Sequence, residues 1–195
     1  MTIEELPRLM TDSSNKDGNA EAMMDYVISW CLRFAESKYI QEKPILSKYC
    51  RYMLGKLIDA DVKENTFIKS VVVKKQWHRI DLCVEVLIDE DGIETKHAIL
   101  IENKYYTTLH DNQHINYKII FDKEYEGWAR TYRIITCYDD PKRVEELYGE
   151  DIKDTPYKAY TFYEMLSPEL WDVEKGLYRE TESDIFNEFW LRWGM

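Results

Sequence analysis

Glycine is scarce in this chain, with 7 residues in 195, and no glycine-rich stretch of the kind that cradles phosphate occurs. No Ser sits in a nucleophile-elbow pattern. The four cysteines, Cys31, Cys50, Cys83 and Cys137, lie far apart with no CxxC pair, which excludes a zinc ribbon and a thioredoxin-like redox motif. Cys31 and Cys83 stand among apolar neighbours, as buried thiols do, and a reducing, cytoplasmic setting follows as an expectation. No apolar run approaches the roughly 20 residues that span a bilayer, so no membrane partner is expected. Residues 1–18 are polar and acidic, with no basic patch ahead of an apolar stretch; they read as a flexible N-terminal arm rather than a signal peptide. Net positive charge is also missing: the formal charge is −11.

The charge is uneven. From Asp139 to Glu188 there are 15 acids against 6 bases. Ahead of that stretch, Lys69, Lys74, Lys75, His78 and Arg79 form a local basic run, and local charge can serve binding when the total does not. Hydrophobic residues make up 45% and aromatics 14%, enough for a packed core over residues 19–195 read as one domain.

Periodicity sets the order of elements. Asn19 reads as a cap for a helix carrying Met24, Val27, Ile28, Cys31, Leu32 and Ala35 on one stripe. Pro44 opens a second helix with Leu46, Tyr49, Cys50, Met53, Leu54 and Leu57 inward. Strands follow at 67–74, 79–88 and 97–104, the last two joined by the turn Asp89-Glu90-Asp91-Gly92. A helix capped by Asp111 runs to about Tyr125, with Ile115, Ile119 and Ile120 as its apolar positions. A strand at 131–138, a short helical segment, a strand at 157–162 and further helices complete the chain. In the last helix Ser183 is the cap, and Ile185, Phe186, Phe189 and Trp190 point inward. This order predicts an α/β fold with a mixed central sheet flanked by helices.

A tight turn at Asp91-Gly92 pairs Glu90 with Ile93, Val86 with His97, Val84 with Ile99 and Leu82 with Ile101. The same register sets Asp81 opposite Glu102, with Cβ atoms about 4.5–5.5 Å apart on one face. Two like charges so placed destabilise the sheet unless a cation compensates, and Mg²⁺, or Mn²⁺ in its place, takes such hard oxygen ligands. Lys104 lies two residues past Glu102 and projects from the same face, beside that cation. Asn103 points away, but its main-chain carbonyl is a candidate third ligand. The competing view, an exposed sheet end with ordinary surface charge, does not explain the convergence of three groups on strands otherwise apolar on both faces.

Other signals are weaker. His110 and His114 are four apart but lack a third ligand at a recognisable spacing, which favours a capping or surface role. Tyr157, Tyr160, Phe162 and Tyr163 read as core rather than a base-stacking platform, as do Trp190 and Trp193. Lys74, Lys75 and Arg79 are candidate phosphate contacts, with a solvated strand edge as the alternative. Tyr105 and Tyr106 either line the cleft or begin a loop.

Arg79-Ile80-Asp81-Leu82, Ile101-Glu102-Asn103-Lys104 and the trailing Gln113 and Tyr117 together resemble the PD-(D/E)XK nuclease superfamily, in its IENK-type branch. The resemblance covers roughly residues 21–125. It implies a restriction endonuclease-like core in which Asp81 and Glu102 bind metal and Lys104 assists the nucleophilic water. It also implies a contribution from a first-helix glutamate, for which Glu21 is the candidate, and support from Gln113 and Tyr117. The implied activity is Mg²⁺-dependent phosphodiester hydrolysis of nucleic acid, DNA first, with room for a homodimer. Lys74-Lys75-Gln76 stands where relatives often carry a glutamate, and the C-terminal third is acidic. Both departures support an alternative, a nuclease-fold binding or scaffolding module acting through protein partners.

Overall fold

The computed structural model describes residues 20–90, 92–109 and 113–192. Two helices come first, α1 (Ala20–Arg33) and α2 (Pro44–Ile58). The anticipated stripes are the buried ones: Met24, Val27, Ile28, Cys31, Leu32 and Ala35 on the first, and Leu46, Tyr49, Cys50, Met53, Leu54 and Leu57 on the second. All four cysteines are buried thiols. The caps Asn19 and Asp111, the arm 1–18, His110 and Trp193 lie outside the described residues.

Strands β1 (Phe67–Trp77), β2 (Ile80–Glu90) and β3 (Ile93–Lys104) form an antiparallel meander. Then α3 (Gln113–Glu124) crosses to β4 (Ala129–Thr136), and α4 (Pro141–Ile152) crosses to β5 (Tyr157–Thr161). β3, β4 and β5 run parallel, giving one mixed sheet in the order β1-β2-β3-β4-β5. Parallel strands need a crossover and are covered on both faces, which is why β3 is buried continuously from Ala98 to Lys104.

The sheet separates two cores. On one side α1 and α2 pack against Leu82, Val84, Val86, Ile99 and Ile101. On the other, Tyr117, Phe121, Tyr125, Val144 and Tyr148 cover Cys83, Ala98, Leu100 and Ile134. The hairpin register is the one read from the sequence, Glu90 opposite Ile93 through Leu82 opposite Ile101. Gly92, at φ +84°, takes the left-handed position of the turn, and its N–H donates to Asp89 Oδ1 at 2.8 Å.

Some expectations fail. Ile115, Ile119 and Ile120 do not form the buried face of α3; they are 42%, 64% and 37% exposed, and His114, Tyr117 and Phe121 turn inward. The helix is apolar on both sides, so periodicity alone could not choose. The choice is made by Phe121 and Tyr125, whose rings meet Tyr132 and Trp128 under the sheet. Ile185 is likewise exposed, because its helix is only Asp184–Phe186 before the backbone widens into a π turn at Asn187–Leu191. The segment after β4 is a full helix of 12 residues, capped by Asp140, which accepts from Lys142 N–H at 2.9 Å. A small ladder, β6 (Trp171–Asp172) with β7 (Leu177–Tyr178), was not anticipated; two-residue strands leave no periodic trace.

Three polar contacts tie the helices down. Glu182 caps α2 from the far end of the chain, accepting from the N–H groups of Ile45 and Leu46, both at 3.1 Å. Glu36 and Ser37 accept from the N–H groups of Val71 and Ile68 on the outer edge of β1, at 3.0 and 2.9 Å. Arg51, 5% exposed, donates to the carbonyls of Ala35, Lys63 and Thr66 at 3.2, 2.7 and 2.6 Å. Removing a donor set of this kind orphans buried acceptors, at about 1–3 kcal/mol per group. Arg51→Ala is expected to cost about 3 kcal/mol or more in a urea titration; a loss within about 0.5 kcal/mol, typical of surface changes, would contradict this.

Candidate active site

The site forms where β2 begins and β3 ends. Asp81 is the second residue of β2, and Glu102 and Lys104 are the last inward-facing residues of β3. Both β3 side chains are buried, Glu102 at 3% and Lys104 at 7% exposure, on the α3 side of the sheet. Their charged ends are 3.6 Å apart, Lys104 Nζ to Glu102 Oε2. Asp81 Oδ2 accepts the main-chain N–H of Asn103 at 2.9 Å, which fixes its carboxylate against the end of β3.

Two carboxyls brought together out of water raise each other's affinity for a proton. Burial pushes Glu102 up from 4.5 to about 8, the neighbouring Asp81 adds to the shift, and Lys104 opposes it. Burial also raises Asp81, against the pull of the Asn103 N–H, the Gln76 amide and Lys104. Glu102 Oε1 is buried and accepts no hydrogen bond. A buried oxygen with an open lone pair, facing a second carboxylate, fits a divalent cation held by one or two carboxylates plus water and phosphate oxygens. Among the described residues no group of three His, Cys, Asp or Glu side chains is arranged to hold a metal ion.

The first helix supplies two acids. Glu21 sits one turn before Asp25, and its Oε1 accepts from Tyr105 N–H at 3.2 Å and Thr107 Oγ at 2.7 Å, pinning the loop after β3. Its charge reaches both Asp25 and Asp81. Asp25 was missed by the sequence reading. It is 6% exposed, and its two oxygens accept from Asn103 Nδ2 at 2.7 Å and Gln76 Nε2 at 3.2 Å. Burial raises it to about 6, although the Asn103 bond pulls the other way. Its trace in the sequence is an acid inside the stripe of Met24 and Ile28, where an unpaired charge is costly. The Asn103 side chain does point away from Glu102 and Lys104, onto Asp25.

On the opposite wall, the side chains of Gln113 and Tyr117 bond to each other. Burial raises the Tyr117 hydroxyl's pKa, the Gln113 bond lowers it, and Glu102 and Asp81 act on it at longer range. His114 is buried edge-on to Tyr157, with neither ring nitrogen bonded. Of the three expected phosphate-facing cations, Lys74 is engaged by Glu85 at 2.5 Å and by Tyr125. Lys75 lies over the Tyr26 ring, and Arg79 is exposed in the β1–β2 turn. Tyr105 is half-buried against the α1 core and Tyr106 is half exposed, stacked edge-on with Tyr138.

The mixed five-stranded sheet flanked by helices is a restriction endonuclease-like α/β fold, and the model of the PD-(D/E)XK nuclease superfamily matches residues 15–180. The chain belongs to that superfamily, whose nucleases generally use divalent metal ions. A solved structure, the DNA modification-dependent restriction endonuclease AspBHI, is similar at 17% identity and a TM-score of 0.34. The likeness covers 82% of this chain and 38% of that one, so the present chain spans well under half of that protein's length. No curated protein matches the sequence. Among the described residues no helix is long and apolar enough to cross a membrane.

The electrostatics give a test that needs no substrate. A carboxyl whose folded pKa is raised contributes stability that is fully present below its unfolded pKa and lost as pH rises through the folded one. For Glu102 that window runs from 4.5 to about 8. In chelator, the urea midpoint is expected to fall between pH 5 and pH 8, and Glu102→Gln to flatten the decline. An equally steep decline in the variant would show that Glu102 is not the group responsible.

Proposed function

We propose that this chain is a divalent-metal-dependent phosphodiesterase that hydrolyses nucleic acid, with DNA as the first substrate class to examine. The observation that carries this reading is the convergence of Asp81, Glu102 and Lys104 at one buried strand end, with a Glu102 oxygen left open. Asp81 and Glu102 would hold Mg²⁺, or Mn²⁺ in its place, assisted by the Asn103 carbonyl. Such an ion supplies Lewis-acid polarisation of the phosphoryl oxygen and a lowered pKa for bound water. Glu102, whose carboxyl burial and Asp81 push up to about 8 in the empty site, would have to be ionised to serve as a ligand. The Lys104 ammonium, held at Glu102, orients the attacking water and steadies charge on the phosphate. Tyr117 and Gln113 wall the site from α3. Lys75 and Arg79, both exposed near the β1–β2 turn, are the cations this reading assigns to backbone phosphates.

A second reading keeps the fold without turnover. The formal charge of −11 and the stretch Lys74-Lys75-Gln76, on a strand where relatives often carry a glutamate, favour it. That reading requires protein partners, and a pull-down yielding nucleic acid and no protein would eliminate it.

The deciding experiment is cleavage of linear and supercoiled DNA, with single-stranded and RNA substrates in parallel, over a Mg²⁺ and Mn²⁺ series. Asp81→Ala and Glu102→Ala are expected to abolish metal binding by calorimetry together with cleavage. Lys104→Ala is expected to keep metal binding and lose cleavage by about 100-fold or more, the scale of a lost positioned acid–base or electrostatic group. Undiminished cleavage in the Lys104 variant, or no metal-dependent cleavage of any substrate, would overturn the proposal.

A further inference from the structure

Asp81 is not held by the sheet alone. Its Oδ2 accepts the Asn103 N–H at 2.9 Å, and its Oδ1 accepts from Gln76 Nε2 at 3.0 Å. The same Gln76 nitrogen donates to Asp25 Oδ2 at 3.2 Å, and the Asn103 side-chain nitrogen donates to Asp25 Oδ1 at 2.7 Å. The four residues close a ring: Asp25, Gln76, Asp81, Asn103 and back to Asp25. It joins α1, β1, β2 and β3 in one polar circuit.

The donor and acceptor types dictate the direction of the ring. An ionised carboxylate only accepts, so Asp25 turns the nitrogen end of both amides toward itself. Gln76 has two N–H groups, and one goes to each carboxylate. Its backbone is in the left-handed region at φ +53°, followed by His78 and Arg79 at +51° and +71°. Non-glycine residues take that region at a cost, and the tight β1–β2 hairpin holds three of them. The turn thus delivers the Gln76 amide between Asp25 and Asp81. Each Asp81 oxygen accepts one bond from the ring.

We propose that Asp25 is a positioning residue for the active site: acting through the amides of Gln76 and Asn103, it sets the carboxylate of Asp81 for metal binding. The assignment rests on the reading of Asp81 and Glu102 as the metal-holding pair. Asp25 reaches that pair through other residues, since both its oxygens are engaged by amides. Orienting groups behind a metal ligand are worth about 10–100-fold in affinity when removed.

Asp25→Asn is the nearest change in shape. It offers one acceptor and one donor group in place of two acceptors, so only one of the two amides can be kept. Gln76→Leu breaks the other side of the ring at an exposed position and leaves the core untouched. Two readouts are needed on the full chain. The first, in chelator, is amide hydrogen exchange at Asn103, whose N–H bonds Asp81, with Leu100 on the same strand as the reference. The second is Mg²⁺ affinity by calorimetry.

Both variants are expected to speed exchange at Asn103 about tenfold with Leu100 unchanged, and to weaken Mg²⁺ binding about tenfold. Unchanged exchange at Asn103 would overturn the proposal, whatever the metal does. So would a general acceleration that includes Leu100, because Asp25 would then be a packing residue only. Selective acceleration at Asn103 in a chain whose native form binds no Mg²⁺ would uphold the positioning role and sink the metal reading instead.

Discussion

A slip of one residue in the β2–β3 hairpin would carry Glu102 and Lys104 from the α3 side of the sheet to the α1 side. The same slip would push Ile99 and Ile101 out of the larger core and bring Asn103 to face α3. Side chains alternate with period two, so pairing and placement are one fact. The pairing of Glu90 with Ile93 is therefore the constraint on which the rest depends. It is enforced from both ends. Gly92 supplies the left-handed turn position at one end, and the Asn103 N–H bond to Asp81 closes the other.

That register places charge where the fold gains nothing from it. Glu102 and Lys104 are nearly as buried as Leu100 beside them, and polar groups taken out of water in this way cost stability unless they are fully partnered. Apolar residues at these two buried positions would avoid that cost. The cost is concentrated at one strand end, and the surroundings hold it there. Apolar packing covers β2 and β3 on both faces, the parallel neighbour β4 locks the far side of β3, and the Glu21 contact fixes the loop that follows. Sacrificing local stability inside an over-determined frame is a common way to keep reactive groups in one geometry.

Much of this was legible in the sequence, and the exceptions have physical causes. The alternation of Leu82, Val84 and Val86 against Ile99 and Ile101 set the faces, and a dyad turn set the register down to Leu82 opposite Ile101; the ladder stops there, one residue short of Asp81 and Glu102. Helix stripes were equally clear where one side was apolar and the other polar, as in α1 and α2. They failed in α3, which presents isoleucines on one side and aromatics on the other; only the three-dimensional fit of Phe121 and Tyr125 decides between them. Asp25 was hidden because hydrophobic patterning passes over an acid in an apolar stripe, although such a residue must find partners. Its partners, Gln76 and Asn103, lie 51 and 78 residues away, beyond any local rule. Lys74 counted as a free cation until its cross-strand partner Glu85 was known.

The outer edge of β1 has a further consequence. An eleven-residue edge strand with Phe67 and Val72 uncovered offers a template onto which another extended chain could hydrogen-bond and begin to aggregate. Glu36 and Ser37 occupy the Val71 and Ile68 N–H groups, so an incoming strand would meet donors already taken along the first half of that edge. The short linker between α1 and α2 thus acts as a guard rail, keeping the molecule from recruiting foreign β-structure at its longest open seam.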